Sequence, residues 1–596
     1  MTFKSLIDSI LEKLQVDRLK RYIPIPEWLF RYQSEYLVGD IIAGIIVTGL
    51  LVPQSMAYAL LAGLPPQIGL YASMLPAILY PLLGSSRVLA VGPAAVDSLM
   101  VATALGKLEP QNTPEYLILA LTLTFLIGCI EILMGVLRLG FLVNFLSHAV
   151  ISGFISGAAT IIAIGQIKHL FGLKISNTES LFTLVLSIFR TIDRTNWVAL
   201  GLGLGSIAIL LFFNYPLVKW LKRRRWSDRA ILPVSKSAPL LVVIVGTLLV
   251  WALHLDRAAG VKVVGDIPSG LPHFSFPIFD LSTLETLLPI ALAISLVGYL
   301  EGFAGAQSLA RKRREKVSAN REFIALGVAN LGAAFSGGYP VTGGLGRSVV
   351  NFAAGANTGL ASIITGLLVI VIVMFLTPMF YFLPQTCLAA IIIIAVYKLI
   401  DLATFRRMWL YDKADAIAWL TTFIAVLFVG VEKGILLGAI VALVLHLWRT
   451  SHPHIAIVGR LGETEHFRNV LRYDVKTSPQ VLAIRVDESL YFANAKYLET
   501  YIFNAIANRE ATPLEYRPDV KKILLVCSAI NLIDASALEI LESLIFDLRL
   551  LGIQFYMSEV KGPVMDKLRK IGFVDYLGEE RIFLSTDRAM RELAGI

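Results

Sequence analysis

The sequence has little charge for its length and very few cysteines. Of its 596 residues only 16% are charged and 56% are hydrophobic, and the mean hydropathy is +0.71. Soluble proteins carry about 25% charged residues, so this composition excludes a chain that is soluble throughout and places most of it in lipid. The three cysteines, Cys129, Cys387 and Cys527, lie far apart with no CxxC or Cys/His spacing. That spacing excludes a disulfide framework and a structural zinc site.

Motifs of catalysis are missing as well. The sequence has no GxSxG, HExxH or Walker A pattern and no pair of carboxylates beside a plausible nucleophile. We therefore expect no enzyme activity, no cofactor and no metal. The first 28 residues are amphipathic, contain spaced acids and lack a small-residue cleavage site. This segment is not typical of a cleaved signal peptide, and we expect it to remain in the cytoplasm.

The positive charge is unevenly distributed. The formal net charge is +9, but the chain beyond residue 472 holds 18 acidic and 15 basic residues, which leaves +12 for residues 1–472. A basic excess confined to a membrane region indicates positively charged cytoplasmic loops rather than a nucleic-acid partner.

Long apolar runs begin near Val38 and end near Trp448. The clear ones are 116–137, 199–213, 240–253, 361–376, 391–397, 416–429 and 434–447; others are short or interrupted by Gly and Pro, notably around Pro53, Pro93 and Pro340. At about 20 residues per span the sequence predicts about fourteen transmembrane helices with both termini cytoplasmic. Basic residues follow the even-numbered spans, at Arg87, Arg138, 222–225, 311–314 and 406–407. This pattern predicts a multi-pass protein of the inner (plasma) membrane.

An internal repeat relates the two halves. The breaker segments around Pro93 and Pro340 and the polar residues Gln54 and Glu301 are both separated by 247 positions. Interrupted segments at matching places in two halves indicate a transporter of inverted repeats with its substrate held where broken helices meet. Because seven spans per half is an odd number, the second half must be inverted relative to the first.

The chain changes character after Trp448. Segment 451–472 is polar and turn-rich, a linker or first strand, and is followed by β-type runs VLAIRV, KILLVC and IQFYMSE alternating with helix-like stretches. Such alternation predicts a small α/β domain. The predicted organisation is an N-terminal segment 1–37, repeats 38–283 and 284–450, a linker 451–472 and an α/β domain 473–596.

Several motifs carry a family resemblance. LLVPQSMAYALLAGLPPQIGLYASMLPAILYPLLGSSR, AVGPAAV, YPVTGGLGRSVVNFAAGA, DESLYFANAKYLE and NLIDASALEIL resemble the sulfate permease (SulP) family, the relatives of animal sulfate/anion exchangers and prestin. The resemblance covers about residues 22–590. It implies an all-α membrane fold of 7+7 inverted repeats divided into core and gate domains, a cytoplasmic STAS domain and a homodimer.

The two breaker segments predict an anion site. A half-helix that begins at Pro93 or just after Pro340 leaves its first N–H groups unpaired and points its positive end outward. Two such ends near the midplane would bind an anion largely through main chain. Tight helix packing by small residues is the other interpretation. The predicted substrate-binding residues are Gln54, Tyr58, Pro93, Ala94, Ser98, Gly343, Gly344, Leu345, Gly346 and Arg347.

Arg347, Gly344 and Gly346 bear on how the anion is recognised. A buried Arg in a span requires a partner, an anion or a route to water, and the resemblance implies that Arg347 attracts the anion. The family often has Ser where this chain has Gly344 and Gly346. The missing hydroxyls leave open which anion is preferred.

Two carboxylates are predicted to couple protons. Glu301 lies among LVGYL and GFAGA with no Lys or Arg within four residues, so it is either protonated or paired across the bundle. In the family, Glu is typical of sulfate-type members at this position, whereas the sodium-dependent bicarbonate type has Asp followed four residues later by Thr. In this chain the residue four positions after Glu301 is Gly305, which favours a proton-linked role over a sodium site. A salt bridge to Arg347 is the alternative. Asp97, one turn into the first half-helix, is the second candidate.

In the α/β domain Asp534 and Ser536 lie where a strand leads into a helix. Helix capping alone explains both residues. The D-x-S-[GA]-L pattern also resembles the phosphorylated site of anti-sigma factor antagonists, so Ser536 is a candidate regulatory site.

The sequence thus predicts a proton-coupled uptake system for a small oxyanion such as sulfate. Bicarbonate or dicarboxylate uptake is the alternative within transport. A membrane sensor that signals through its STAS domain and no longer transports is the alternative outside it. Uracil/xanthine-type carriers share the fold class but are disfavoured by the α/β tail.

Overall fold

The computed structural model describes residues 27–30, 32–106, 108, 113–141, 147–173, 175, 181–226, 231, 234–235, 237–272, 274, 276–277, 280–507 and 520–595. The predicted cytoplasmic N-terminal segment lies largely outside the described residues. The chain divides into two compact units, Met1–Ala442 and Leu443–Ile596, each with its own core.

Within the described residues, the first half of the membrane unit contains seven apolar spans in chain order. They are α2 (Tyr36–Leu61), the pair α3 (Pro66–Tyr71) and α4 (Leu75–Leu83), α5 (Ala95–Gly106), α6 (Thr113–Val136), α7 (His148–Leu170), α9 (Trp197–Asn214) and α11 (Ala238–Leu253). Strand β1 (Val91–Gly92) precedes α5. Shorter helices are α1 (Glu27–Phe30), α8 (Leu181–Thr191), α10 (Pro216–Arg223) and α12 (Leu255–Ala258).

The second half repeats this order. Its spans are α13 (Leu281–Arg313), α14 (Ala319–Phe335), α15 (Leu345–Ala353), α16 (Leu360–Phe375), α17 (Gln385–Tyr397), α19 (Lys413–Phe428) and α20 (Val431–Ser451), with β2 (Thr342–Gly343) before α15 and α18 (Leu402–Tyr411) after α17. A strand followed by a short helix is therefore the third member of each half, as the matching breaker segments predict.

One predicted interruption is absent from the described residues of the first span. Pro53 lies inside α2, which runs unbroken from Tyr36 to Leu61. Proline removes one N–H from the helical ladder, but neighbouring helices and side chains in a membrane bundle satisfy the carbonyl that it frees. Of the three predicted interruptions, those at Pro93 and Pro340 lie beside strands, and the one at Pro53 does not.

The spans pack in two groups, each drawn from both halves. Helices α2–α6 pack with α13–α16, and α7, α9 and α11 pack with α17 and α19. Glycines allow close crossings: a Cβ at Gly128 of α6 would lie 2.9 Å from the carbonyl oxygen of Gly327 on α14. In the other group a Cβ at Gly153 of α7 would lie 2.5 Å from the carbonyl oxygen of Trp419 on α19. These groups are the core and gate domains that the family resemblance implies.

The second unit is an α/β domain. Its described residues form a sheet of six strands, in the order β4-β3-β5-β6-β7-β8. The strands are β3 (Ile455–Arg460), β4 (Phe467–Asn469), β5 (Val481–Val486), β6 (Lys522–Val526), β7 (Gln554–Ser558) and β8 (Ile582–Phe583). Strands β5 to β8 are parallel and β3 is antiparallel to β5. Its helices are α21 (Ala495–Ile506), α22 (Ala535–Leu550), α23 (Gly562–Lys570), α24 (Phe573–Leu577) and α25 (Thr586–Ala594).

The segment expected to be a linker or first strand belongs to this sheet. Residues 458–460 pair with 467–469, and 455–457 pair with β5. Only the stretch between Ser451 and Ile455 connects the last membrane helix to the sheet. The segment thus contains a first strand, which is one of its two interpretations from the sequence, and the turn between β3 and β4 accounts for its polar, turn-rich composition.

Candidate functional site

The two broken segments meet as a short strand pair. Strands β1 and β2 are antiparallel, with Val91 opposite Gly343 and Gly92 opposite Thr342. Helix α5 begins three residues after β1 ends, and α15 begins two residues after β2 ends. Each helix follows its strand, so both helix N termini lie beside the strand pair. Because the strands are antiparallel, the two helices then run away from the pair in opposite directions. Their first N–H groups and positive dipole ends therefore converge on the strand pair.

Arg347 joins the two halves of this site. It lies in the first turn of α15, is 3% exposed, and donates from Nη1 to the carbonyl oxygen of Pro93 at 2.6 Å and from Nη2 to that of Gly92 at 3.0 Å. Its Nε has no hydrogen-bond partner. The guanidinium offsets two carbonyl dipoles that would repel an anion and places a positive charge at the strand pair.

The glycines around Arg347 have different surroundings. The N–H of Gly344 donates to the carbonyl oxygen of Ala90 at 3.1 Å. Contrary to the expectation from the sequence, this N–H group therefore does not point at a ligand. The N–H groups that begin α15 are those of Leu345, Gly346 and Arg347. A Cβ at Gly344 would lie 2.7 Å from Cζ and Nη2 of Arg347, whereas nothing lies within 4 Å of one at Gly346. Close approach to the main chain is therefore available at Gly346.

Helix α13 brings Glu301 to the same place. A Cβ at Gly302 would lie 3.2 Å from the main-chain nitrogen of Gly343, so α13 passes directly over β2. Glu301 is half-buried, and its Oε2 is buried without a hydrogen-bond partner. The hydrogen bonds of Arg347 go to main-chain carbonyls, so the expected alternative, a salt bridge between these two side chains, is not formed.

Asp97 faces α13 as well. It is 1% exposed, its Oδ1 has no hydrogen-bond partner, and a Cβ at Gly298 would lie 3.0 Å from its Oδ2. The charges of Asp97, Glu301 and Arg347 act on one another. The carboxylate of Asp97, in the first turn of α5, thus lies against α13.

Of the predicted hydrogen-bond donors, Tyr58 belongs to this cluster. It is 7% exposed and lies within electrostatic reach of Arg347 and Glu301. Gln54 is half-buried one turn earlier on α2. Ser98 donates to the carbonyl oxygen of Ala94 at 2.6 Å and lies 2.9 Å from the hydroxyl of Tyr339, so its hydrogen is used inside the protein.

Sequence reasoning missed two residues of α14 that hold the strand pair. Glu322, fully buried, accepts from the N–H of Ser85 at 2.7 Å and of Ser86 at 3.2 Å, in the segment that leads to β1. Asn330, also fully buried, binds both main-chain groups of Val341: its Oδ1 accepts from the N–H at 2.9 Å and its Nδ2 donates to the carbonyl at 3.1 Å. We call Glu322 and Asn330 the α14 clamp.

Glu131 supports the clamp from α6. Its Oε2 accepts from Nδ2 of Asn330 at 2.9 Å, which orients the amide toward Val341. The signal for Glu131 was present, since it is a single acid in an apolar run, the same pattern that identified Glu301. Asn330 is an uncharged polar residue in such a run, and Glu322 follows a basic loop, so neither has a distinctive local pattern.

Removing the clamp amide is expected to weaken anion binding. Asn330→Ala leaves the buried N–H and carbonyl of Val341 unpaired, which costs about 1–3 kcal/mol for each group. We expect β2 to shift so that these two groups find other partners, which displaces the anion site. A loss of about 1.4 kcal/mol in binding free energy lowers the affinity for the anion roughly tenfold. Asn320→Ala is the matched control, because Asn320 on the same helix accepts from the N–H of Gly140, away from the strand pair. Thermal unfolding and anion titration of both variants check this; equal affinity losses would contradict it.

In the α/β domain Asp534 and Ser536 have separate roles. Asp534 is the N-cap of α22: Oδ1 accepts from the N–H of Ala537 at 2.8 Å, and Oδ2 accepts from that of Phe492 at 3.0 Å. Ser536 lies exposed in the first turn of α22. Capping therefore explains Asp534 and leaves the hydroxyl of Ser536 accessible.

Two sets of seven helices whose broken third members meet at a strand pair define the inverted-repeat class of membrane transporters. Residues 37–422 match the model of the Sulfate permease family, and residues 472–589 match that of the STAS domain. The chain belongs to the sulfate permease family. The predictions of this family, of its fold and of a transporter rather than an enzyme are confirmed.

Curated relatives match along nearly the full length. Sulfate transporter 4.1, chloroplastic, of Arabidopsis thaliana is 38% identical over 582 residues, which are 97% of this chain and 83% of the relative. High affinity sulfate transporter 2 of Stylosanthes hamata is 33% identical over 580 residues, 96% of this chain and 86% of the relative.

Solved structures share the fold. The overall structure of SLC26A9 matches with a TM-score of 0.84 at 23% identity and covers 99% of this chain and 97% of that one. The transmembrane domain of the cyanobacterial bicarbonate transporter BicA matches with a TM-score of 0.57 at 21% identity and covers 69% of this chain and 98% of that one.

Proposed function

We propose that this protein is a secondary active transporter that takes up sulfate, or a closely similar small oxyanion, together with protons. The observation that carries the proposal is the strand pair: two helix N termini converge on it, and Arg347 adds a buried positive charge whose hydrogen bonds go only to main-chain carbonyls. Such a site favours an anion through both charge and N–H donors. Relatives named as sulfate transporters support the choice of sulfate.

Proton coupling is proposed on the geometry of Glu301. Its carboxylate has a buried oxygen without a partner and lies where α13 crosses β2, so it faces the same site as the anion. A carboxylate that changes its charge there would alter the electrostatic free energy of a bound anion directly. Asp97 is the second group that could serve in this way.

Uptake of radiolabelled sulfate into proteoliposomes tests the function. With an inward proton gradient we expect accumulation that a protonophore abolishes, and strong competition by sulfate over bicarbonate, fumarate and chloride. Protein-free liposomes and liposomes with Arg347→Gln are the controls. Preferred uptake of bicarbonate or fumarate would replace sulfate as the substrate, and the absence of any anion flux would favour the membrane sensor.

The proposed location is the plasma membrane, with both termini and the STAS domain in the cytoplasm. Positive charge at short loops resists translocation; Arg313 is the last residue of α13, and Arg224 directly follows α10. Cysteines introduced at Arg224 and Arg313 of a cysteine-free variant should resist an impermeant thiol reagent added to intact cells and react after permeabilisation. A cysteine at Met379, which lies exposed on the opposite side in this topology, is the matched control. Labelling of the first two positions from outside would reverse the topology.

We also propose that the protein is a homodimer and that Ser536 is a regulatory phosphorylation site. The hydroxyl of Ser536 is exposed in the first turn of α22, where a helix N terminus stabilises a phosphate. Ser536→Asp and Ser536→Ala should then differ in transport rate, with equal rates counting against regulation. Light scattering of the detergent-purified protein tests the dimer.

A further inference from the structure

The proposed coupling leaves one buried carboxylic acid of the membrane unit without a role in transport. Glu131 on α6 is 2% exposed, and its Oε2 accepts from Nδ2 of Asn330 at 2.9 Å. Within the described residues it forms no salt bridge with Lys or Arg. An ionised carboxylate is costly inside a membrane bundle, so the gain or loss of a proton by Glu131 must change the free energy of its surroundings strongly.

Helix α6 packs against three helices of the anion site, α14, α13 and α5. The titratable groups that face Glu131 from these helices are Asp97 on α5 and Tyr299 on α13, and Glu322 on α14 acts on the same tyrosine. The amide of Asn330 faces it from α14. A negative charge on Glu131 therefore opposes one on Asp97, which lies in the first turn of the half-helix α5.

The amide of Asn330 is shared among several acceptors. Its Nδ2 lies 2.9 Å from Oε2 of Glu131, 3.1 Å from the carbonyl oxygen of Val341 and 3.2 Å from that of Leu326. An amide nitrogen carries only two hydrogens, so these three acceptors compete for them. The position of the amide consequently depends on how strongly Glu131 attracts it.

Protonation of Glu131 changes that attraction. A hydrogen bond to an ionised carboxylate is shorter and roughly twice as strong as one between neutral groups. Loss of the proton therefore draws the amide of Asn330 toward α6 and lengthens its two bonds to Val341. Because Val341 directly precedes β2, and β2 pairs with β1, this movement loosens the strand pair on which the anion site is built.

We propose that Glu131 is a further proton-binding residue of the transport cycle and that Asn330 transmits its charge state to the anion site. With Glu131 neutral, the amide holds Val341 and the anion binds well. With Glu131 ionised, the amide is withdrawn and a negative charge is added, so the anion binds weakly. By thermodynamic linkage, anion binding favours proton uptake at Glu131 by the same factor. The inference rests on the proposed proton-coupled transport and adds to it a group that does not face the anion.

Glu131→Gln tests the proposal, because the amide of Gln keeps an acceptor oxygen for Asn330 but cannot ionise. Isothermal titration of the detergent-purified protein with sulfate should give unchanged affinity at acidic pH. At alkaline pH the variant should bind about tenfold more tightly than the unmodified protein, the factor expected for losing the clamp amide. A merely structural role would weaken binding at both pH values. Glu301 and Asp97 are present in both proteins, so their contributions cancel. Glu115→Gln, at an exposed position of the same helix, is the matched control and should leave both affinities unchanged.

Asn330→Ala removes the link itself and decides the question if Glu131→Gln does not fold. Relative to the unmodified protein, it should bind sulfate about tenfold more weakly at acidic pH and about equally at alkaline pH. The proposal is overturned if Glu131→Gln keeps the pH dependence of the unmodified protein, or if Asn330→Ala loses affinity equally at both pH values. Absence of sulfate binding by the unmodified protein at every pH would instead overturn the proposed function, and this inference with it.

Discussion

Replacing Arg347 by Gln should weaken sulfate binding by roughly thirty- to a hundred-fold. The buried guanidinium contributes a Coulomb term of about 2–3 kcal/mol at an effective dielectric of about 20 and a separation of about 6–8 Å. The substitution also leaves the carbonyls of Gly92 and Pro93 without their donor. Arg347→Lys should be milder, because the charge remains although one ammonium cannot reproduce the two-point contact. Isothermal titration with sulfate measures all three proteins.

A glycine pair provides the matched control. Gly344→Ala places a Cβ where the guanidinium now lies, at 2.7 Å from Cζ, so Arg347 must move from the carbonyls and affinity should fall without any change of charge. Gly346→Ala, two residues later in the chain, places its Cβ in open space, so this variant should fold normally. Normal sulfate affinity in well-folded Arg347→Gln and Gly344→Ala proteins would contradict an anion site at the strand pair.

Glu301→Gln should abolish accumulation of sulfate against its gradient while exchange continues. Each coupled proton allows about tenfold accumulation for one pH unit of gradient, and a side chain that cannot ionise removes that coupling. The expected steady-state ratio across the membrane is then one at zero potential, with counterflow of labelled sulfate still measurable. Proteoliposome uptake with and without a proton gradient distinguishes the two modes.

Glu285→Gln is the control for this carboxylate. Glu285 lies on the same helix α13 but is exposed, so its loss should leave accumulation intact. Full proton-driven accumulation by Glu301→Gln would remove Glu301 from coupling, and Asp97→Asn would then be the variant to test. Loss of both accumulation and counterflow would instead assign Glu301 to the structure of the site.

Local sequence signals predicted the features that depend on local chemistry. Prolines and glycines around Pro93 and Pro340 identified both breaks, and the single acid in an apolar run identified Glu301. The partners of Arg347 could not be predicted in this way, because Gly92 and Pro93 lie more than 250 residues away along the chain. Pro53 has the same local signal as the true breaks, and only the packing around α2 decides that the helix continues.

The α14 clamp has a consequence for discrimination between anions. Glu322 holds the segment before β1 and Asn330 holds the residue before β2, so one helix fixes the spacing of both half-sites. A substitution in the clamp changes that spacing for every oxyanion alike and should scale all affinities by a similar factor. Preference among anions must then be decided by groups that face the bound ion individually. Gly346 is open to such change, since a Cβ there would meet no protein atom within 4 Å.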